Sequence, residues 1–237
     1  MIVIVIPARL KSTRLERKPL AMIGDYPMLW WTWKKAQKSK LANKVIIATD
    51  STEIVDRMTS YGAECVMTPE DCKSGSDRIY QATKDSPEAE IIVNLQGDEP
   101  LMNLDTLDGS IETLLSNSDC EIATAVSPFK DVSDWENPNN VKAVFNQKNK
   151  AIYFSRSPLK NGLLHIGLYV YRKSSLEKFC KLSPSPLENA EQLEQLRAIE
   201  NEIPIYVYKI HNTEMEHFGI DTQEDLTRAR EILLSTK

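Results

Sequence analysis

The sequence has little that would support metal-cage, redox or membrane chemistry. Its four cysteines (Cys65, Cys72, Cys120, Cys180) are scattered and form no CxxC pair, and the three histidines are likewise dispersed. Zinc and redox readings are therefore poor, and free thiols in a reducing cytoplasm are the economical inference. No stretch is apolar for long enough to cross a bilayer. The opening residues, Met1-Ile2-Val3-Ile4-Val5-Ile6, lack a basic flank and run straight into Pro7-Ala8-Arg9. They read as a first strand and not as a signal peptide. The formal net charge is only −5, which argues against a general nucleic-acid binder. No repeat or low-complexity linker interrupts the 237 residues, a length that allows one large α/β domain or two small ones. The expectation is a cytoplasmic protein with neither a membrane nor a nucleic-acid partner.

What the chain does have is polar chemistry at the ends of apolar runs. After the first strand comes the loop Pro7 to Leu20, with five cationic side chains (Arg9, Lys11, Arg14, Arg17, Lys18) and two hydroxyls. Guanidinium groups grip phosphate oxygens bidentately and lysine adds a point charge, so such a segment can wrap a triphosphate. It contains no glycine, and is neither a Walker A loop nor a Rossmann fingerprint. A second apolar run from Ile91 ends in Gln96-Gly97-Asp98-Glu99-Pro100. In open α/β sheets ligands collect beyond the carboxyl ends of the strands. Adjacent carboxylates there suit Mg²⁺, which takes oxygen ligands and completes its shell with water and phosphate. The alternative is a loop in which Asp98 only caps the following turn.

Strand and helix patterns alternate through the first half. Pro27 opens a helical stretch to about Lys40, with Trp30, Trp31 and Trp33 more naturally packing than stacking on bases. Lys44 to Asp50 is a second strand, and Ser51 or Thr52 caps the helix after it. Asp50 is either a ligand contact or part of that cap, with the cap favoured. Glu64 to Met67 is a third strand. It leads to Lys73-Ser74-Gly75-Ser76-Asp77-Arg78 and a helix onward from Asp77, for which Ser76 would serve as cap. A helix N-terminus with a nearby arginine suits an anion or a base edge. Leu104 to Leu115 follows as an amphipathic helix with Leu104, Leu107, Ile111, Leu114 and Leu115 on one face. This alternation argues for a doubly wound sheet.

The pattern changes after the strand Glu121 to Val126. Asn139 to Phe145 and Ala151 to Phe154 read as paired strands around a turn at 146–150. In the strand His165 to Tyr171, residues His165, Gly167, Tyr169 and Tyr171 share a face, so His165 and Tyr169 could line one cleft or sit in the core. Pro184 starts a helix to about Asn201 with Ala190, Leu193, Leu196 and Ile199 inward. Glu191, Glu194 and Gln195 then lie on a solvated face. Thr222 with Asp225 forms a near-capping box, and Asp221 stands just before it.

Several segments together resemble one family in order. They are Pro7 to Leu20, Ser74 to Arg78, Gln96 to Pro100, Asn137 to Lys142, Tyr153 to Arg156, His165 to Tyr169, Pro184 to Leu187, Leu193 to Arg197 and Ile220 to Thr222. The chain is similar across nearly its whole length to the 3-deoxy-manno-octulosonate (Kdo) cytidylyltransferases. The resemblance implies a mostly parallel Rossmann-like sheet with a smaller β-rich acceptor and dimerisation region. It places a CTP-binding half at about 1–118 and a sugar-binding half at about 119–237 of one domain, in a homodimer. It implies a Mg²⁺-dependent reaction of CTP with Kdo, releasing pyrophosphate. Arg9, Arg14 and Lys18 would hold CTP phosphates, and Ala8, Gly75, Ser76 and Arg78 would frame the cytidine. Asp98 and Asp221 would bind the metal, with Arg9 and Lys18 completing the catalytic set. Gln96, His165, Tyr169, Glu194 and Gln195 would line the sugar pocket. Where the family usually has Pro-Gly before the loop lysine, this chain has Glu16-Arg17, and the segment between Arg156 and His165 is shorter. Another 3-deoxy-ulosonic acid as acceptor, or a non-catalytic nucleotide-binding homologue, are the alternatives.

Overall fold

The computed structural model describes residues 1–12, 15–210 and 218–235. By its internal contacts the chain divides into one unit of Met1–Leu107 with Met215–Lys237 and a second of Asp108–Glu214. The division therefore falls earlier than residue 118, and the C-terminal segment returns to the first unit. The physical reason is a shared core: Ile220, Leu226 and Ala229 near the C-terminus pack with Ile23, Met28 and Leu101.

The first unit opens with β1 (Ile2–Ala8), whose Val3 to Ile6 are almost fully buried. A 3-10 turn at Lys18–Leu20 leads to the small hairpin of β2 (Met22–Ile23) and β3 (Tyr26–Pro27). Then come α1 (Met28–Ala36), β4 (Lys44–Thr49), α2 (Thr52–Thr59), β5 (Glu64–Met67), α3 (Gly75–Thr83) and β6 (Ile91–Asn94). The four long strands are parallel in the order β6-β1-β4-β5. Successive strands are added outward from β1 to β5, and β6 then lands on the other side of β1. That reversal is a topological switch point, and it opens a crevice at the carboxyl ends of β1 and β6.

Local chemistry accounts for the element ends. Pro27 is the N-cap of α1 and not its first residue, and the helix stops at Ala36, short of the expected Lys40. Ser51 caps α2, its hydroxyl accepting from the Ile54 amide. Trp33 is buried, Trp30 stacks on Tyr26 at 3.8 Å, and Trp31 donates to the Ile23 carbonyl, so these rings are packing.

The helix α4 (Leu104–Ser116) contains the division between the units. Its Leu107, Ile111 and Leu114 are buried as expected, but Leu115 is 50% exposed because it lies one position beyond the apolar stripe. The second unit comprises β7 (Ile122–Ser127), α5 (Val132–Glu136), β8 (Lys142–Phe145), β9 (Ala151–Ser155), β10 (Leu163–Arg172), α6 (Lys173–Lys181), α7 (Pro186–Glu191), α8 (Gln195–Glu200) and β11 (Ile205–Lys209). Here β11 runs parallel to β7, while β7, β10, β8 and β9 are antiparallel neighbours in that order. A bridge between Lys150 and Tyr206 brings the β8–β9 turn back against β11, curling the sheet.

The helix expected over 184–201 is two helices. Gln192 adopts φ 55 and ψ 46, and this left-handed residue ends α7. Ala190 is consequently exposed, while Leu193 and Leu196 are buried and Ile199 is half-buried. The break turns Glu191 inward, where it accepts from the Ser155 hydroxyl and the Arg156 amide, each at 2.9 Å. Glu188 and Arg197 join the two helices in a bidentate ion pair at 2.8 and 2.5 Å. The chain closes with α9 (Gln223–Ser235), capped by Thr222, whose amide and hydroxyl engage Asp225 reciprocally as the sequence indicates.

Candidate functional site

A cavity of about 380 Å³ lies at the switch point of the first unit. The end of β1 contributes Pro7, Ala8 and Arg9, the following loop Lys11, Ser12 and Lys18, and the end of β6 Gln96, Gly97 and Asp98. Gly75 and Arg78 come from the start of α3, and Asp221 from the residue before the cap of α9.

The centre of the site is a three-residue ionic cluster. Lys18 Nζ donates to Asp98 Oδ2 at 2.5 Å and to Asp221 Oδ1 at 2.9 Å. Two backbone features bring residues so distant in sequence together. The Ile220 amide donates to the Asp98 carbonyl at 2.9 Å, and Ile220 itself is fully buried, which anchors Asp221 beside Asp98. Gly97 passes so close to the chain that a Cβ there would lie 3.1 Å from the Pro7 carbonyl oxygen and 3.2 Å from Leu29 Cδ1. Its own carbonyl accepts from the buried Thr32 hydroxyl at 3.0 Å, fixing the turn that aims Asp98.

Burial alone would lower the Lys18 pKa, but Asp98 and then Asp221 outweigh it and hold the ammonium above its ordinary value. Beside Asp98 stands Glu99, the second of the adjacent carboxylates after β6. It is buried under Gly219, and burial, then the Asp98 and Asp221 charges, push its carboxyl well above the usual range, with Lys18 acting against them.

The donor set bears on a metal. Among the described residues no three His, Cys, Asp or Glu side chains form a ready cage. Two carboxylates nevertheless converge on one cationic position, now marked by the Lys18 ammonium, as a hard divalent ion with water and phosphate ligands requires. The residues present fit such an ion.

Arg78 is the other fixed cation. It is buried, donating from one terminal nitrogen to Asp50 at 2.7 Å and from the other to Thr68 Oγ1 at 2.5 Å. Asp50 is thus the ion-pair partner of Arg78, and the cap of α2 belongs to Ser51 alone. Ser74, not Ser76, caps α3: its hydroxyl accepts from the Asp77 amide while Asp77 accepts from the Ser74 amide. The helix therefore begins at Gly75, and the buried Ser76 is not among the cavity walls. Lys73, Ser74 and Cys72 line the cavity although the sequence singled out none of them for it. Arg17 turns away from it to pair with Glu53 on α2. Its backbone, at φ 52 and ψ 34, takes the left-handed conformation a glycine would adopt freely, so Glu16-Arg17 still makes the turn before Lys18. Arg14 lies outside the described residues.

In the second unit, His165 and Tyr169 face one another with ring centroids 5.5 Å apart, as alternation along β10 implies. Pairing of β10 with β7 slips between Ile166 and Tyr169, three positions on β10 against one on β7, which preserves that alternation. Burial drives the His165 pKa down to about 3, so its ring is neutral. Burial and then Glu194 raise the Tyr169 hydroxyl far above its ordinary value. Glu194 precedes α8 and lies 3.9 Å from Arg197, whereas Gln195 is buried and not on a solvated face.

A family model described as cytidylyltransferase matches residues 3–210. A 3-deoxy-manno-octulosonate cytidylyltransferase of Chloroherpeton thalassium is 43% identical over 242 residues, covering 98% of this chain and 97% of the relative. The protein of that name from Leptospira biflexa is 40% identical, covering 94% and 92%. A solved CMP:2-keto-3-deoxy-manno-octonic acid synthetase complexed with CTP superposes with a TM-score of 0.93 at 32% identity, covering 100% of this chain and 99% of that one. A cytidylyltransferase structure from Leptospira borgpetersenii, 20% identical with a TM-score of 0.69, shares the fold.

Proposed function

The chain belongs to the cytidylyltransferase family, and from that premise we propose that it activates Kdo with CTP, giving CMP-Kdo and pyrophosphate. The observation that carries the reading is the Lys18–Asp98–Asp221 cluster inside a cavity lined by Arg9 and Lys11. Likeness over nearly the whole chain to proteins named for this activity supports it.

The anomeric 2-hydroxyl of the sugar attacks the α-phosphorus of CTP while pyrophosphate leaves. A carboxylated sugar must therefore meet a polyanionic triphosphate, and catalysis rests on positioning and charge neutralisation. Arg9, Arg14 and Lys18 take the phosphates. Ala8, Gly75 and Arg78 frame the cytidine, with Asp50 and Thr68 holding the Arg78 guanidinium still. We assign Gln96, His165, Tyr169, Glu194 and Gln195 to the acceptor. Asp98 and Asp221 would hold Mg²⁺, which supplies Lewis-acid charge that lowers the hydroxyl pKa and stabilises the phosphorus oxygens. Lys18 keeps the two carboxylates poised and compensates their charge. The active form is a homodimer, and the product serves lipopolysaccharide or capsule assembly.

The test is incubation of the protein with CTP, Mg²⁺ and a panel of 3-deoxy-ulosonic acids, following pyrophosphate and CMP-sugar. Kdo is expected to give the highest kcat/KM. CTP binding with no product from any acceptor would instead identify a non-catalytic nucleotide binder.

A further inference from the structure

The slip between β10 and β7 does more than bend a strand. It brings two main-chain carbonyls, Leu168 at 2.7 Å and Ile166 at 3.2 Å, onto the hydroxyl of one fully buried residue, Thr124. That oxygen also lies 2.9 Å from His165 Nε2. A threonine hydroxyl has a single proton to give, and a carbonyl can only accept. Were the proton directed at Nε2, two carbonyl oxygens would face an oxygen lone pair in a site that water cannot reach. The proton therefore goes to Leu168, and the hydroxyl accepts from His165. This assigns the imidazole proton to Nε2 and leaves the lone pair on Nδ1. The ring plane is fixed as well, with Phe154 edge-on at 5.0 Å and Tyr169 at 5.5 Å.

We propose that Thr124 is a positioning residue that holds His165 as the Nε2–H tautomer, so that Nδ1 meets the acceptor sugar as a neutral hydrogen-bond acceptor for one of its hydroxyl groups. The proposal rests on the assignment of His165 to the acceptor. It makes that contact specific: an uncharged lone pair accepts from a hydroxyl and repels a carboxylate. The acid group of the sugar must therefore find its cation elsewhere. An acceptor analogue lacking the matching hydroxyl would leave a buried lone pair without its donor, the kind of loss that discriminates strongly between substrates.

Two measurements test this. Nitrogen NMR of the wild-type protein with labelled histidine is expected to show His165 with a protonated Nε2 and an unprotonated Nδ1 at neutral pH. An unprotonated Nε2 would overturn the proposal without any variant having to fold. Thr124→Val keeps the shape and removes the hydroxyl. It is expected to shift the tautomer and raise KM for the acceptor about tenfold, with KM for CTP unchanged and a smaller effect on kcat. Thr124→Ser is expected to restore both the resonances and the acceptor KM. Equal KM values in the Val and Ser variants would refute a hydroxyl-dependent role. If the tautomer is as stated but His165→Ala leaves the acceptor KM at the wild-type value, the assignment of His165 to the acceptor has failed, and the substrate half of the proposal fails with it.

Discussion

Lys18 is bonded to both Asp98 and Asp221, so a change at one of the three alters the setting of the other two. Replacing either carboxylate by its amide keeps the shape but removes half of the carboxylate charge that faces Lys18 and would face the proposed divalent ion. Asp98→Asn or Asp221→Asn is expected to cut turnover at least ~100-fold in a pyrophosphate-release assay. Near-normal rates in both would rule out the metal assignment. His165 lends itself to a second measurement at the same scale. Its pKa falls from an ordinary 6.5 to about 3 on folding, so between those values the unfolded chain binds a proton that the folded one refuses. Stability therefore rises with pH through that window and falls as pH is lowered below 6.5. The step from pH 6.5 to pH 5 should cost about 2 kcal/mol from this residue, and His165→Gln should flatten the acid limb of the denaturation curve by that amount.

Between elements, the bidentate pair of Glu188 and Arg197 joins α7 to α8 across the break at Gln192. Glu188 also closes the capping box of α7 with Ser185. Removing the guanidinium leaves a largely buried carboxylate without its counter-charge. Arg197→Ala is expected to lose about 3 kcal/mol in urea denaturation. Arg197→Lys should recover only part of that, because an ammonium cannot reproduce the fork. The two-helix arrangement also shows where periodicity stops being informative. Ala190, Leu193, Leu196 and Ile199 fit one continuous stripe, yet a single left-handed residue rotates the first part of it outward. Ordinary spacing carries no mark of a non-glycine residue at positive φ, so it places Glu191 on a solvated face, whereas the folded chain makes it the anchor of the Ser155–Arg156 turn.

At the scale of the molecule, the proposed nucleotide site is the cavity where the order of parallel strands reverses within the first unit, and ligand binding there should be readable as stability. CTP at a hundredfold excess over its dissociation constant should add about 2.7 kcal/mol and raise the melting temperature, and UTP should do less. A chelator should abolish pyrophosphate release while leaving the melting temperature of the unliganded protein unchanged, since Lys18 compensates the charge of Asp98 and Asp221.

By itself the sequence determined the strand–helix alternation, the basic loop after β1, the carboxylates at the end of β6 and the capped approach to α9. Each of these is written in contiguous residues whose periodicity or end chemistry is local. Only the tertiary structure decided which polar groups meet. Asp50 turned to Arg78 and not to its own helix cap, and Arg17 turned to Glu53 and not to the cavity. The Ile220 amide and the core around it carried Asp221 across the chain to Asp98. Such pairings depend on strand order and on the packing of distant segments. Spacing within a segment reports which groups a strand end offers, and long-range packing alone selects their partners.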